Sequence, residues 1–206
     1  TSVDNLESQL AEVIRLYFSA GTDITVNHSV IENERTSMHV ASVEYEGNQT
    51  EARFTIDNST DALENKRRLQ KAAKIAVYDA LSTLTGKQQP WGSLTGVRPT
   101  KLYADIDGKS ANAYTEFTQV YKVSEKKTGL CAEINDVQKE VDIVDNQYGL
   151  YIGIPFCVSR CSYCSFPGRI AKKGEMESYV DALLLEIDDL ASRIDASRLF
   201  SVYIGR

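Results

Sequence analysis

The sequence predicts an α+β domain (helix, three-stranded antiparallel sheet, helix), a helical connector, and then the first βαβ unit of a partial (β/α) barrel. Three observations predict it. Strand-like alternation between residues 24 and 56 lies between two helical stripes. Pro90, Gly92, Gly96 and Pro99 interrupt all periodicity after residue 86. Two short apolar runs, 149–154 and 200–204, bracket an amphipathic helix. The divisions fall at 1–86 for the α+β domain, 87–146 for the linker and connector, and 147–206 for the start of the barrel.

Val3, Leu6, Leu10, Val13, Ile14 and Tyr17 place the first helix over residues 3–18, with Gly21 as its stop. Ile24, Val26, His28 and Val30 alternate with mostly polar neighbours, so His28 should point inward as a satisfied core side chain. Apolar parity shifts between Val40 and Val43. A bulge near Ala41–Ser42 would explain that and would leave His39 solvated. Gly47-Asn48 signals a hairpin, and Ala52, Phe54 and Ile56 mark the third strand.

A long helix follows over about residues 60–84, with Leu69, Ala73, Ala76, Ala80 and Leu84 as its stripe and Gly86 as its cap. Both helices should cover one face of the meander. The long helix carries Lys66, Arg67, Arg68, Lys71 and Lys74. With no aromatics interleaved, this basic run reads as a solvated face rather than an anion or nucleic-acid patch. Trp91 reads as a packing anchor, and Pro99 as the first residue of a short helix. Tyr114, Phe117, Val120 and Tyr121 predict a helix over 110–122. Leu130, Ile134, Val137, Val141 and Val144 predict another over 125–144, with Cys131 half-buried beside the stripe.

Gly149–Ile154 then reads as a strand, residues 175–194 as a helix and Phe200–Ile204 as a parallel strand. Two strands and one helix cannot bury their own faces, so we expect an N-terminal fragment of a larger enzyme, inactive alone. The chain is 42% hydrophobic and 25% charged, with a net charge of −6, which argues against a dedicated nucleic-acid binder. No apolar run reaches the ~20 residues of a membrane span, and the acidic start is not a secretory signal.

Three of the four cysteines, Cys157, Cys161 and Cys164, form C-x3-C-x2-C in one loop. That loop leaves the C-terminal end of the first barrel strand, where barrel-type sheets place active sites. Three thiolates suit a 4Fe–4S cluster and leave one iron open to chelate a small molecule through an amine and a carboxylate. The alternative is structural zinc, which takes four ligands. There is no second C-x2-C, His28 and His39 lie far upstream, and Cys131 is the only spare thiol. A cluster with an open iron is oxygen-sensitive, so a reducing cytoplasm is expected.

The stretch YIGIPFCVSRCSYC resembles the signature of radical S-adenosylmethionine (SAM) enzymes, with Tyr163 as the aromatic before the third cysteine. It is similar to that of the oxygen-independent coproporphyrinogen III oxidases and their haem-chaperone relatives. PWGSLTGVRPTK and the α+β domain before it look like the HemZ-type branch. The resemblance implies that Cys157, Cys161 and Cys164 ligate a 4Fe–4S cluster and that Tyr151 and Tyr163 contact SAM. It implies reductive cleavage of SAM to a radical that abstracts hydrogen from a small-molecule substrate. The substrate that the resemblance implies is a porphyrinogen, with two propionates oxidatively decarboxylated to vinyls. An electron donor such as flavodoxin or ferredoxin is implied too. Gly153 stands where many of these oxidases carry histidine. Another substrate within the same branch, or a non-catalytic haem-binding role, are the alternatives.

Overall fold

The computed structural model describes residues 6–109, 112–141, 146–159, 161 and 169–205. Its element order is α1 (Leu6–Ile14), β1 (Thr25–Glu32), β2 (Thr36–Tyr45), β3 (Asn48–Asp57), α2 (Ala62–Thr85), α3 (Pro99–Asp107), α4 (Ala113–Thr115), α5 (Glu125–Lys139), β4 (Tyr148–Gly153), α6 (Glu175–Arg193) and β5 (Leu199–Gly205). The chain divides into two units, Thr1–Glu140 and Val141–Arg206.

In the first unit β1, β2 and β3 form an antiparallel meander with β2 in the middle. Glu46 and Gly47 make the two-residue β2–β3 turn, both at positive φ (50° and 78°), the geometry that matches strand twist. The turn lies one residue earlier than the Gly47-Asn48 signal, since Asn48 already pairs with Tyr45. Both α1 and α2 cover one sheet face, as expected. Val13, Ala76, Val77, Tyr78, Ala80 and Leu81 pack there against Ala41 and Val43. Asp61 caps α2 by accepting from the Glu64 N–H at 2.7 Å, and Gly86 closes it in the left-handed conformation. The first helix is shorter than predicted. After Ile14 the backbone tightens into turns that still bring Tyr17 onto Tyr78 and Phe18 onto Tyr45.

The expected bulge is absent. Register runs unbroken through His28↔Ala41 and Ser42↔Glu51. Ser37, His39, Ala41 and Val43 therefore all face the covered side, and His39 is 1% exposed rather than solvated. Buried polar side chains, not an inserted residue, produced the parity shift. Ser37 Oγ donates to Asn58 Oδ1 at 2.6 Å, and His39 Nδ1 shares a hydrogen bond with His28 Nε2 at 2.9 Å.

A second core joins Tyr103, Ala113, Phe117, Tyr121, Val123 and Cys131, with Trp91 and Leu94 packed against it. Pro99 opens α3 as predicted. The predicted 110–122 helix is instead the single turn α4 running into a π-helix, Glu116–Val120. Tyr121 N–H donates five residues back, to Glu116 O, and both Phe117 and Tyr121 are buried. The Tyr121 carbonyl is also held by the Ser93 N–H at 2.9 Å. Gly92, at φ 54°, passes so close that a Cβ would lie 2.0 Å from that carbonyl.

The fifth helix departs most from expectation. It ends at Lys139, and its apolar stripe faces solvent, with Leu130 42% and Val137 63% exposed. Thr128, Cys131 and Asn135 point inward instead, and Cys131 is fully buried. Polar contacts accompany this orientation: Asn135 Nδ2 and Lys139 Nζ both donate to Asp107 Oδ2 at the end of α3, at 3.1 and 2.6 Å.

In the second unit β4 and β5 pair in parallel with α6 between them in sequence. The predicted βαβ elements are present. No residue of α6 is buried, and Leu185, Phe200 and Ile204 are 71%, 47% and 67% exposed. Among the described residues no helix is long and apolar enough to cross a membrane.

The histidine pair makes the first unit pH-sensitive. Burial, with His28 alongside, pushes His39 down to about 4, and burial also lowers His28. The unfolded chain titrates near 6.5 and binds more protons than the folded one in between. Stability is thus present above about 6.5 and lost as pH falls toward about 4. A denaturant series should show the wild type losing roughly 1–3 kcal/mol more than a His28→Val, His39→Leu double variant between pH 7 and pH 4.5. Parallel profiles would contradict this reading.

Candidate functional site

The second unit builds its site at the carboxyl end of β4. Pro155 and Phe156 follow the strand and Cys157 begins the loop. The backbone closes the base of that loop. Cys157 N–H donates to Arg169 O at 3.0 Å, and Arg169 N–H donates to Pro155 O at 3.3 Å. Phe156 and Arg169 thereby form a parallel bridge. Ile154 N–H donates to Gly205 O at 2.8 Å, fastening the same point to the end of β5.

Side chains reinforce the closure. The Arg169 guanidinium lies over the Phe156 ring and grips Glu175, the first residue of α6, through both Nη atoms, Nη1 at 2.5 Å. The Glu175 carboxylate also accepts from the Lys172 backbone N–H at 2.9 Å. Arg169 first, and that N–H second, hold the Glu175 carboxyl down at about 2. A carboxylate in the first turn also suits the positive end of the helix. Tyr179, one turn on, sets its ring edge against Phe156 and donates from its hydroxyl to Gly153 O at 2.5 Å.

Cys157 is half-buried and Cys161 is exposed. Tyr163 and Cys164 lie outside the described residues. Among the described residues no three His, Cys, Asp or Glu side chains converge on a metal position. Cys131 belongs to the first unit, where burial pushes its thiol up. His28 and His39 bond to each other there. The donor chemistry of the loop, soft thiols brought to one short segment closed at its base, suits an iron–sulfur cluster.

Tyr151 is 57% exposed and stacks on Tyr203 of β5, with ring centroids 5.3 Å apart and planes 15° apart. The register sets Tyr151 opposite Tyr203 and Gly153 opposite Gly205. A Cβ on Gly153 would lie 3.2 Å from the Tyr151 ring, and one on Gly205 would lie 2.6 Å from the Tyr203 ring. The missing side chains let both rings lean toward the carboxyl ends of their strands. Together they offer a flat aromatic surface beside the start of the cysteine loop.

Sequence reasoning singled out the cysteines and Tyr151 but not Arg169, Glu175 or Tyr203. One signal was available. Tyr151-Ile-Gly153 recurs as Tyr203-Ile-Gly205, the same triplet at the end of two parallel strands. The Arg169–Glu175 pair had no comparable local signature.

No protein-family model matches the chain, and no solved structure gives a significant match. Several curated proteins do. The oxygen-independent coproporphyrinogen-III oxidase-like protein HemZ of Bacillus subtilis is 28% identical over 185 residues, 83% of this chain and 37% of the relative. The heme chaperone HemW of Mycobacterium tuberculosis is 32% identical over 62 residues, 28% of this chain and 16% of the relative. A mitochondrial radical S-adenosyl methionine domain-containing protein 1 of Danio rerio is 34% identical over 56 residues, 27% of this chain and 13% of the relative. The chain spans little more than a third of the HemZ-like relative's length and less of the others. The likeness is thus to a HemZ coproporphyrinogen-III oxidase-like protein over most of the chain, and to HemW and radical S-adenosyl methionine domain proteins over about a quarter of it.

Proposed function

We propose that this chain carries the cluster-binding part of a coproporphyrinogen dehydrogenase-like radical SAM oxidoreductase. One observation carries the reading: a C-x3-C-x2-C loop leaves the end of a parallel strand in a chain matched over most of its length by a HemZ protein. In this reading β4, α6 and β5 are the first βαβ unit of a partial barrel. Cys157, Cys161 and Cys164 ligate a 4Fe–4S cluster, and Tyr151 and Tyr163 contact SAM. Held there, a cluster and SAM would supply one-electron reductive cleavage of the sulfonium bond. The protein's part is positioning. The Cys157–Arg169 backbone bond and the Arg169–Glu175 clasp fix the base of the loop, so Cys157 is held in place before the cofactor arrives.

The substrate proposed is a porphyrinogen bearing propionates. Each decarboxylation to a vinyl releases carbon dioxide, a proton and two electrons: cleaved SAM would take the proton and one electron as a hydrogen atom, and an electron acceptor would take the second. A flavodoxin or ferredoxin in a reducing cytoplasm is the proposed electron source. The HemW likeness keeps a second reading, haem binding without turnover. His28 and His39 are poor axial ligands for it, because each already holds the other in a hydrogen bond.

Anaerobic reconstitution with iron and sulfide should load about four irons per chain, with Cys157→Ala, Cys161→Ala and Cys164→Ala each losing most of them and Cys131→Ala none. Iron retained by the triple cysteine variant, or zinc bound in its place, would sink the reading. The clasp is checked separately, without iron. In Glu175→Gln the Cys157 amide should exchange with deuterium roughly three- to tenfold faster than in the wild type, because its carbonyl partner is less firmly held. Unchanged exchange would show that the clasp does not hold the loop.

A further inference from the structure

The first unit holds a cavity of about 590 Å3 that the cysteine-loop chemistry leaves unused. It falls in the size range of pockets that enclose drug-sized molecules. One wall is basic: Arg67, Arg68, Lys71 and Lys74 recur along α2 at positions i, i+1, i+4 and i+7. The opposite wall is apolar, with Ile56 of β3, Leu94 and Val97 of the segment before α3, and Leu102 of α3. Leu94 also packs on the second core, so that wall is anchored.

The cations are not all neutralised. Arg68 pairs with Glu64 at 3.1 Å and Lys71 with Glu116 at 2.6 Å. Among the described residues Arg67 and Lys74 form no ion pair. Lys74 Nζ donates to the Thr95 carbonyl at 3.0 Å instead. Burial lowers the Lys74 pKa, and Glu12 offsets that only in part. Asp57 is the one further carboxylate on the lining, against the two unpaired cations. A partly buried ammonium with no carboxylate in direct contact is costly, and an incoming anion relieves that cost. The basic run is therefore only in part the solvated face its sequence implied: Arg67 is exposed, while Lys71 and Lys74 are half-buried. Lys74 lies against the Thr95 carbonyl, and Lys71 sits over the Tyr121 ring at 4.3 Å.

We infer that this cavity is a binding site for a small amphipathic organic anion, an apolar or aromatic body bearing a carboxylate or phosphate. The head group sits between Arg67 and Lys74, and the body lies along Ile56, Leu94, Val97 and Leu102. Two opposed walls of different polarity fix orientation as well as affinity. A nucleic acid would need a basic groove open along its length and aromatic faces for its bases, whereas this basic wall faces aliphatic side chains across a cavity. The proposal is independent of the cysteine loop and stands or falls without it.

Three probes sharing one body test it: 1-naphthylacetate, 1-naphthyl phosphate and the uncharged 1-naphthylacetamide. They are titrated into the nitrogen-15-labelled full chain and followed by amide NMR. The expected result is one saturable site with shifts centred on Lys71, Lys74, Thr95 and Val97, and at least one anion binding about tenfold or more tighter than the amide. Whichever anion binds tighter names the head group, and either order supports the site. Arg67→Glu reverses an exposed charge at the cavity rim, and Val97→Asp adds a carboxylate opposite. Arg67→Glu should weaken the anions about tenfold or more and leave the amide unchanged, whereas Val97→Asp, in the wall that holds the shared body, should weaken all three probes; both should leave the thermal midpoint near wild type. Equal affinity for anion and amide, shifts centred elsewhere, or no effect of Arg67→Glu would overturn the proposal. So would a short single-stranded RNA that displaces the anions with the steep salt dependence of phosphate-backbone contacts.

Discussion

The site depends on one backbone hydrogen bond, from Cys157 N–H to Arg169 O. It brings together residues twelve apart and converts a length of chain containing all three motif cysteines into a closed loop. Closing a loop of this length costs conformational entropy, and the cost grows only slowly with length. The bond does not meet it alone. Arg169 also pairs its N–H with Pro155 and its guanidinium with Glu175 and Phe156. Tyr179 reaches from the first turns of α6 to Gly153 at the end of β4. Helix, strand and loop base thus meet around one aromatic ring, Phe156.

The two units are stabilised differently. The first has two apolar clusters, one between sheet and helices and one around Phe117 and Cys131. The second has polar closure at the loop base and a parallel strand pair but buries nothing along α6. Local stability follows buried apolar contact, so the second unit should be the more readily opened by hydrogen exchange. Its hydrogen bonds specify geometry at the loop more than they supply global stability.

Much of this was legible in sequence where one physical signal dominated. Alternation gave three strands, Gly86 closed α2, and a short apolar run gave β4, because period and cap chemistry agree there, whereas the N-cap of α2 is Asp61, just past the Asp57–Thr60 stretch whose residues suit capping. Legibility failed where burial ran against polarity. His39 and Ser37 are polar yet inward, and their hydrogen-bond partners lie 11 and 21 residues away, which no local pattern reveals. On α5 a regular apolar stripe pointed the wrong way, since Asn135 and Lys139 meet Asp107 on the opposite side. At the site, the cysteine spacing and Tyr151 stood out because their chemistry is rare. Arg169 and Glu175 are ordinary surface residues until the fold places them together. Tyr163 and Cys164 fall outside the described residues, so their roles rest on the motif.

The central claim is a cluster with one iron that the protein leaves unligated. Mössbauer spectroscopy of the anaerobic chain reconstituted with iron-57 tests it most directly. With SAM added, the account predicts one iron subsite distinct from the other three, its isomer shift raised as an amine and a carboxylate complete its coordination. Four subsites indifferent to SAM, or no iron–sulfur spectrum at all, would contradict it.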